Sequence, residues 1–190
     1  MTQHQPLLTT PRLILRPFQL SDANKVQQMA GEAQIANGTI NIPHPYTDGM
    51  AGQWIGKVLA DWQRGHSAIY AITLKSTYQL IGCVGLHNIA DGKAQLGYWI
   101  GVPFWGKGYC TEAATRMTEY GFKRLQLARI YGQHYSQETQ SGKVMQKIGM
   151  RHVMTKNDAI RVDRVSVDLE YYEMTCPEAS TLEETTPVLS

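Results

Sequence analysis

Hydrophobic and polar positions first alternate along this chain, then recur at a helical period, and then alternate again. Leu13 and Leu15 share one face of Arg12-Leu13-Ile14-Leu15-Arg16, which predicts a strand stopped by Pro17. Ser21 is placed to cap a helix carrying Asp22 in its first turn and Val26 and Met29 at helical spacing. Two prolines mark Asn41 to Tyr46 as a loop, after which Thr47 is placed to cap a second helix. That helix has Ala51, Trp54, Ile55, Val58, Leu59 and Trp62 along one stripe, and the stripe reads as core.

The period changes to two over the next segment. Ala68 to Leu74, Gln79 to Leu86 and Ala94 to Ile100 predict a three-stranded antiparallel meander, with Asp91-Gly92 as the second turn. Thr111 to Arg124 predicts a helix, Arg129 to His134 a strand, and Ser141 to Ile148 a short helix closed by Gly149. Met150 to Met154 and Val167 to Met174 predict two last strands.

Composition narrows the class. A chain of 190 residues without internal repeats or an interior linker fits one domain, assigned to 1–176, followed by a polar, flexible tail at 177–190. No apolar run approaches ~18 residues, and the polar start lacks a secretory h-region, so neither membrane nor export is expected. Cys83, Cys110 and Cys176 are far apart, which points to a reducing cytoplasm rather than a disulfide framework. No Cys-x-x-Cys pair exists and the histidines are scattered, so no metal site is expected. A formal charge of +2 is too weak to imply nucleic-acid binding.

The chemistry concentrates between Gly97 and Ala113, where an apolar strand runs into Gly101-Val102-Pro103-Phe104-Trp105-Gly106-Lys107-Gly108 and then a helix start. Glycines permit a tight bend and close approach of a ligand, and a helix start offers unsatisfied N–H groups and a positive dipole end. Together they form an anion cradle suited to a diphosphate, with Lys107 adding charge. Two other readings compete. The glycines can serve only a tight turn. Alternatively, Gly101-x-x-x-x-Gly106-Lys107 imitates a nucleotide-hydrolase phosphate loop, but the magnesium-holding Ser or Thr is replaced by Gly108 and Pro103 removes a donor.

Several segments in their order resemble the GNAT superfamily, and within it the ribosomal-protein-alanine N-acetyltransferase branch. They are Thr10-Pro11-Arg12-Leu13-Ile14-Leu15-Arg16-Pro17, Ile42-Pro43-His44-Pro45-Tyr46-Thr47, Leu96-Gly97-Tyr98-Trp99-Ile100, Trp105 to Ala113, and Ser141 to Met150. The resemblance implies an α/β (α+β) GNAT fold, a central mostly antiparallel mixed sheet of six to seven strands flanked by about four helices. It implies acetyl-CoA as cosubstrate, with the backbone of Gly106, Lys107, Gly108, Tyr109, Cys110 and Thr111 on the diphosphate. The backbone of Tyr98, Trp99 and Ile100 would pair with the pantetheine arm as an added strand does. Ser141 matches the family's serine near the thioester.

Four positions depart from the family pattern: Trp105 replaces Gln or Arg, as is common in this branch, Cys110 replaces Gly or Ala, Glu138 stands where Asn is usual, and Gln95 stands where this branch often has Glu. Gln95 does not titrate and so is no general base. Ser141 is the expected catalytic donor to the leaving thiolate and Glu138 a candidate base, against plainer roles as helix cap and solvated carboxylate. Cys110 is read as a small packed residue rather than a nucleophile, and His44 and Tyr46 are candidates for the acceptor side. The expected activity is direct acetyl transfer to an amine, with a protein N-terminal α-amine favoured. A small-molecule amine, or acetyl-CoA binding without turnover, are the alternatives. The expected partners are acetyl-CoA and the acceptor, with no nucleic acid and no membrane, and the assembly is a monomer or a homodimer.

Overall fold

The computed structural model describes residues 4–162 and 165–176; the expected tail at 177–190 lies outside them. The chain runs β1 (Leu8–Thr9), β2 (Leu13–Arg16), α1 (Ala23–Ala30), α2 (Ala33–Asn37), α3 (Met50–Gln63), β3 (Ala68–Leu74), β4 (Leu80–Ala90) and β5 (Lys93–Ile100). It continues through α4 (Tyr109–Lys123), β6 (Arg129–Tyr135), α5 (Thr139–Lys147), β7 (Arg151–Val162) and β8 (Val165–Thr175). Short 3-10 turns occupy Leu20–Asp22 and Val102–Phe104. One eight-stranded sheet has the order β1-β2-β3-β4-β5-β6-β8-β7. Every neighbouring pair is antiparallel except β5 and β6. This is the α+β class expected, with eight strands in place of six or seven and five α-helices in place of about four among the described residues.

The meander follows the sequence pattern closely. Asp91 and Gly92 both take positive φ, 50° and 69°, so the β4–β5 turn matches the natural twist of a hairpin. One face of the sheet packs Leu13, Leu15, Tyr70, Leu86, Leu96 and Ile130 against Ala113, Ala114, Met117 and Tyr120 of α4. The opposite face packs Ile69, Ala71 and Cys83 against Val26 and Met29 of α1 and Ala51, Ile55 and Val58 of α3. Each face thus buries its own helix layer, as a sheet apolar on both sides requires.

Three local expectations are corrected. Asp22, not Ser21, organises the entry to α1: its carboxylate accepts from the Gln19 N–H at 2.9 Å and is held by Arg16 at 2.7 Å. Burial alone would raise that carboxyl, but the bonds from Arg16 and Gln19 outweigh it and hold it below its ordinary value. Thr47 does not cap α3 with its side chain; Gly49, in the left-handed region at φ 85°, precedes the helix, and the Thr47 carbonyl accepts from the Met50 N–H. The first of the two last strands does not stop at Met154 as predicted: the chain from Thr155 continues β7 in antiparallel pairing with β8. Its register shifts after His152 and after Lys156, which hides the period of two.

Candidate active site

The site begins where the one parallel pair of strands comes apart. β5 and β6 pair only from Lys93↔Arg129 to Gln95↔Tyr131. Beyond Gln95, β5 stays paired with β4 through Ile100, while β6 stays paired with β8 through Tyr135. The β6-facing edge of β5 from Leu96 onward is therefore left without a strand partner, an incomplete ladder that an extended chain can fill. Tyr98 stands in the gap and its hydroxyl donates to the Ser141 carbonyl at 2.8 Å, tying β5 to the first turn of α5. Burial, with the Cys110, Glu138 and Tyr172 side chains adding to it, raises the Tyr98 phenol well above its ordinary value, so it stays a donor.

A cleft of about 270 Å³ passes through this gap. Its near wall is Ser141, Met145, Gln133, His134 and Tyr98; its floor is Cys83, His87, Gln95, Gly97 and Trp99; its far wall comes from α1, the 38–46 loop and α3. Tyr46 lines it and His44 does not; His44 is exposed. Trp54, read as pure core, is shared: it packs edge-on against Phe18 at 5.0 Å and also lines the cleft.

At the Ile100 end of the open edge, the chain turns through Val102–Phe104 into α4. Gly106 and Gly108 have φ of 73° and 77°, and Gly108 is the residue that caps α4. A side chain at either position would strain the turn. Among the described residues no oxygen accepts from the N–H groups of Gly106, Lys107 or Gly108. The first-turn amides of Tyr109, Cys110 and Thr111 have no carbonyl within their own helix to pair with. The turn and the helix start therefore present a run of free amide donors. Trp105 donates its indole N–H to the Ile100 carbonyl, so of the three expected pantetheine-pairing residues Ile100 has its carbonyl already taken. Lys107 is folded onto the turn, its Nζ donating to the Pro103 carbonyl at 3.1 Å and lying 5.6 Å from the Phe104 ring centre.

Arg12 and Glu112 are parts of this site that sequence reasoning missed. The Arg12 backbone and guanidinium donate to Glu112 at 2.8 and 2.6 Å, Thr10 donates to it at 2.6 Å, and a second Arg12 nitrogen donates to the Lys107 carbonyl at 2.9 Å. The guanidinium also covers the Tyr109 ring at 4.6 Å. Burial would raise the Glu112 carboxyl, but these bonds outweigh it and hold it below its ordinary value. The pair pins both sides of the turn to β2. Nothing in the sequence signals it, because the partners are a hundred positions apart.

The residues singled out on α5 sit together. Glu138 is the N-cap, accepting from the N–H groups of Gln140 at 3.2 Å and Ser141 at 2.9 Å. Ser141 is therefore inside the first turn and not its cap, with its carbonyl bound to Tyr98. Cys110 packs against the core beside this turn, and burial, then the Glu138 carboxylate, pushes its thiol up to about 12. A thiol so held is protonated at neutral pH, in keeping with the packed role.

Comparison with known proteins matches residues 12–151 to the Acetyltransferase (GNAT) domain family. The chain is 31% identical to an N-acetyltransferase, p20, of Bacillus licheniformis over 76% of this chain and 82% of that one. It is also 31% identical to a putative ribosomal N-acetyltransferase, YdaF, of Bacillus subtilis over 62% of this chain and 66% of that one. Among solved structures, RimJ of Mycobacterium smegmatis, in complex with CoA-disulfide, superposes with a TM-score of 0.82 at 20% identity, over 93% of this chain and 91% of that one. The family match over residues 12–151 and the p20 relative define the class. The chain belongs to the GNAT family of acetyl-CoA-dependent N-acetyltransferases.

Proposed function

We propose that this protein transfers the acetyl group of acetyl-CoA directly to the α-amine of a protein N-terminus. The carrying observation is the cleft through the gap between β5 and β6, together with the turn of free amides that follows Ile100 on the same open edge of β5. The backbone N–H groups from Gly106 to Thr111 would hold the diphosphate, and the open edge at Tyr98 and Trp99 would pair with the pantetheine arm. Bound in this way, acetyl-CoA supplies an activated acetyl thioester at the far end of the edge, near Gly97.

The α-amine is favoured by what the cleft lacks. Among the described residues, no Asp, Glu, Lys or Arg lines it; its far wall is Ile40, Ile42, Pro43, Tyr46, Met50 and Trp54. A polyamine or a lysine side chain enters such a wall as a cation with no carboxylate to receive it. Deprotonating an α-amine of pKa near 8 at neutral pH is easier than deprotonating lysine, near 10.4, by about 3 kcal/mol. Ser141 faces the cleft and would donate its hydroxyl to the departing sulfur, with Tyr98 fixing its backbone. Glu138, with both oxygens on the amides of α5, would act chiefly by holding Ser141 in place. Positioning is then the main source of rate.

The test is thiol release across an amine panel. Peptides with free N-termini should turn over, and the same peptides with blocked N-termini but a free lysine should not. Turnover of polyamines alone would replace this reading with a small-molecule one. Binding of acetyl-CoA without thiol release from any amine would replace it with a binding protein, which Gln95 in an acid's usual place would then explain.

A further inference from the structure

We propose that His87, a residue of β4 with no assigned role, is the base that takes the proton from the acceptor amine. The proposal rests on the acetyl-transfer reading and supplies the base that the reading lacks. Gln95 does not titrate, and the carboxylate of Glu138 is engaged in capping α5.

The geometry comes from the register. His87 lies directly across from Gln95 in the β4–β5 ladder, so both side chains project from the same face of the sheet, into the cleft. The ring leans from there over Gly97: its Nε2 lies 3.0 Å, and its Cδ2 3.2 Å, from where a Cβ on Gly97 would stand. Any larger residue at 97 would displace the ring. Gly97 belongs to the stretch of β5 beyond the last parallel pair, at the opposite end of the open edge from the glycine turn. A ligand with its diphosphate at that turn and its arm along Tyr98 and Trp99 therefore brings its acyl end below this nitrogen. Gln95 is held from the other side, accepting from the Asn88 side chain at 3.2 Å.

The electrostatics suit the role. Burial lowers the His87 pKa below its ordinary value; Asp61 of α3 opposes this and Lys57 of α3 adds to it. From β5, packed against the ring, Gln95 and Gly97 contribute no charge. No group among the described residues hydrogen-bonds the ring nitrogens, so the imidazole is neutral at physiological pH with its lone pair free. As the amine nitrogen forms its bond to the acetyl carbon, the carbon–sulfur bond breaks with its electron pair on sulfur. The proton shed by nitrogen goes to His87 and then to solvent, and the thiolate leaves as such or protonates from water.

His87→Gln tests this. A general base is worth ~10²–10⁴-fold, so kcat on N-terminal peptides should fall by at least ~10²-fold. Acetyl-CoA affinity by calorimetry should stay within about twofold. The wild-type acid limb of the kcat profile, below pH ~6.5, should vanish in the variant. In His87→Ala, added imidazole should restore part of the rate, which a folding defect would not permit. A His87→Gln enzyme that keeps its rate and its acid limb would overturn the assignment while leaving the acetyl-transfer reading intact. If wild type acts on some other amine only, the α-amine reading fails, and the same variant decides His87 on that amine. A wild type with no turnover at all would overturn both.

Discussion

The cleft and the glycine turn beyond Ile100 are built in opposite ways. The proposed cofactor end is a single run of sequence, Gly101 to Thr111, whose chemistry is main-chain: free amides, two left-handed glycines and a helix start. It is pinned from outside by Arg12 and Glu112. The cleft, the proposed acceptor end, is a mosaic of α1, the 38–46 loop, α3, β4 and β5, and its chemistry is in side chains such as His87, Gln95 and Trp54. Backbone chemistry tolerates substitution around it as long as the turn holds its shape. Side-chain chemistry changes with each residue, so one scaffold can present a fixed cofactor to many different amines.

The largest effect is expected at Gly108. A valine there has to adopt φ near 77° with a branched Cβ, and the turn should open rather than comply. Acetyl-CoA affinity is expected to fall by at least ~100-fold, about 2.7 kcal/mol, with the melting temperature changed by only a few degrees. Calorimetry and thermal melts check both.

A pair of milder changes sharpens the contrast. Arg12→Ala removes the pins on the turn and should weaken acetyl-CoA by ~10-fold while leaving the peptide KM alone. Ile42→Ala, on the far wall, should raise the peptide KM by a similar ~10-fold and leave acetyl-CoA binding unchanged. Steady-state kinetics with each substrate varied in turn separates the two; equal effects of either change on both substrates would mean that the ends are not independent.

The same contrast explains which features are legible in the sequence. The meander, the Asp91-Gly92 turn and the glycine turn before α4 could be read because each is decided by neighbours within about ten residues. The strand β1, two residues long, and the helix α2, five residues long, are too short to show a period and exist through packing. Ser21 and Thr47 looked like caps by residue type, but Arg16 and the Asp48-Gly49 bend set those helix starts instead. Arg12 was visible only as a strand residue, because its partner Glu112 lies on α4. His87 was one of six scattered histidines; its setting over Gly97, with Lys57 and Asp61 on α3, appears only when the sheet and helix are assembled.

The smallest expected effect lies away from the cleft. Glu170 accepts from Ser136 at 2.6 Å, Thr155 at 2.8 Å and His152 at 2.6 Å, joining β6, β7 and β8. Ser136 and Thr155, then His152, outweigh slight burial and hold its carboxyl at about 2. A depressed folded pKa contributes stability above the unfolded value, lost as pH falls through the folded one. Glu170→Gln should therefore lower the melting temperature by a few degrees at pH 7, with the difference from wild type shrinking between pH ~4.5 and ~2. Turnover should be unaffected. Melts across that range measure it.

The central claim is that coenzyme A lies along the open edge of β5 with its diphosphate on the glycine turn. A crystal structure of the protein with acetyl-CoA tests it most directly. The account predicts diphosphate oxygens within hydrogen-bond distance of amides between Gly106 and Thr111, the arm paired with Tyr98 and Trp99, and the acyl carbon beneath His87 near Gly97. A diphosphate bound elsewhere, with those amides facing only solvent, would contradict it.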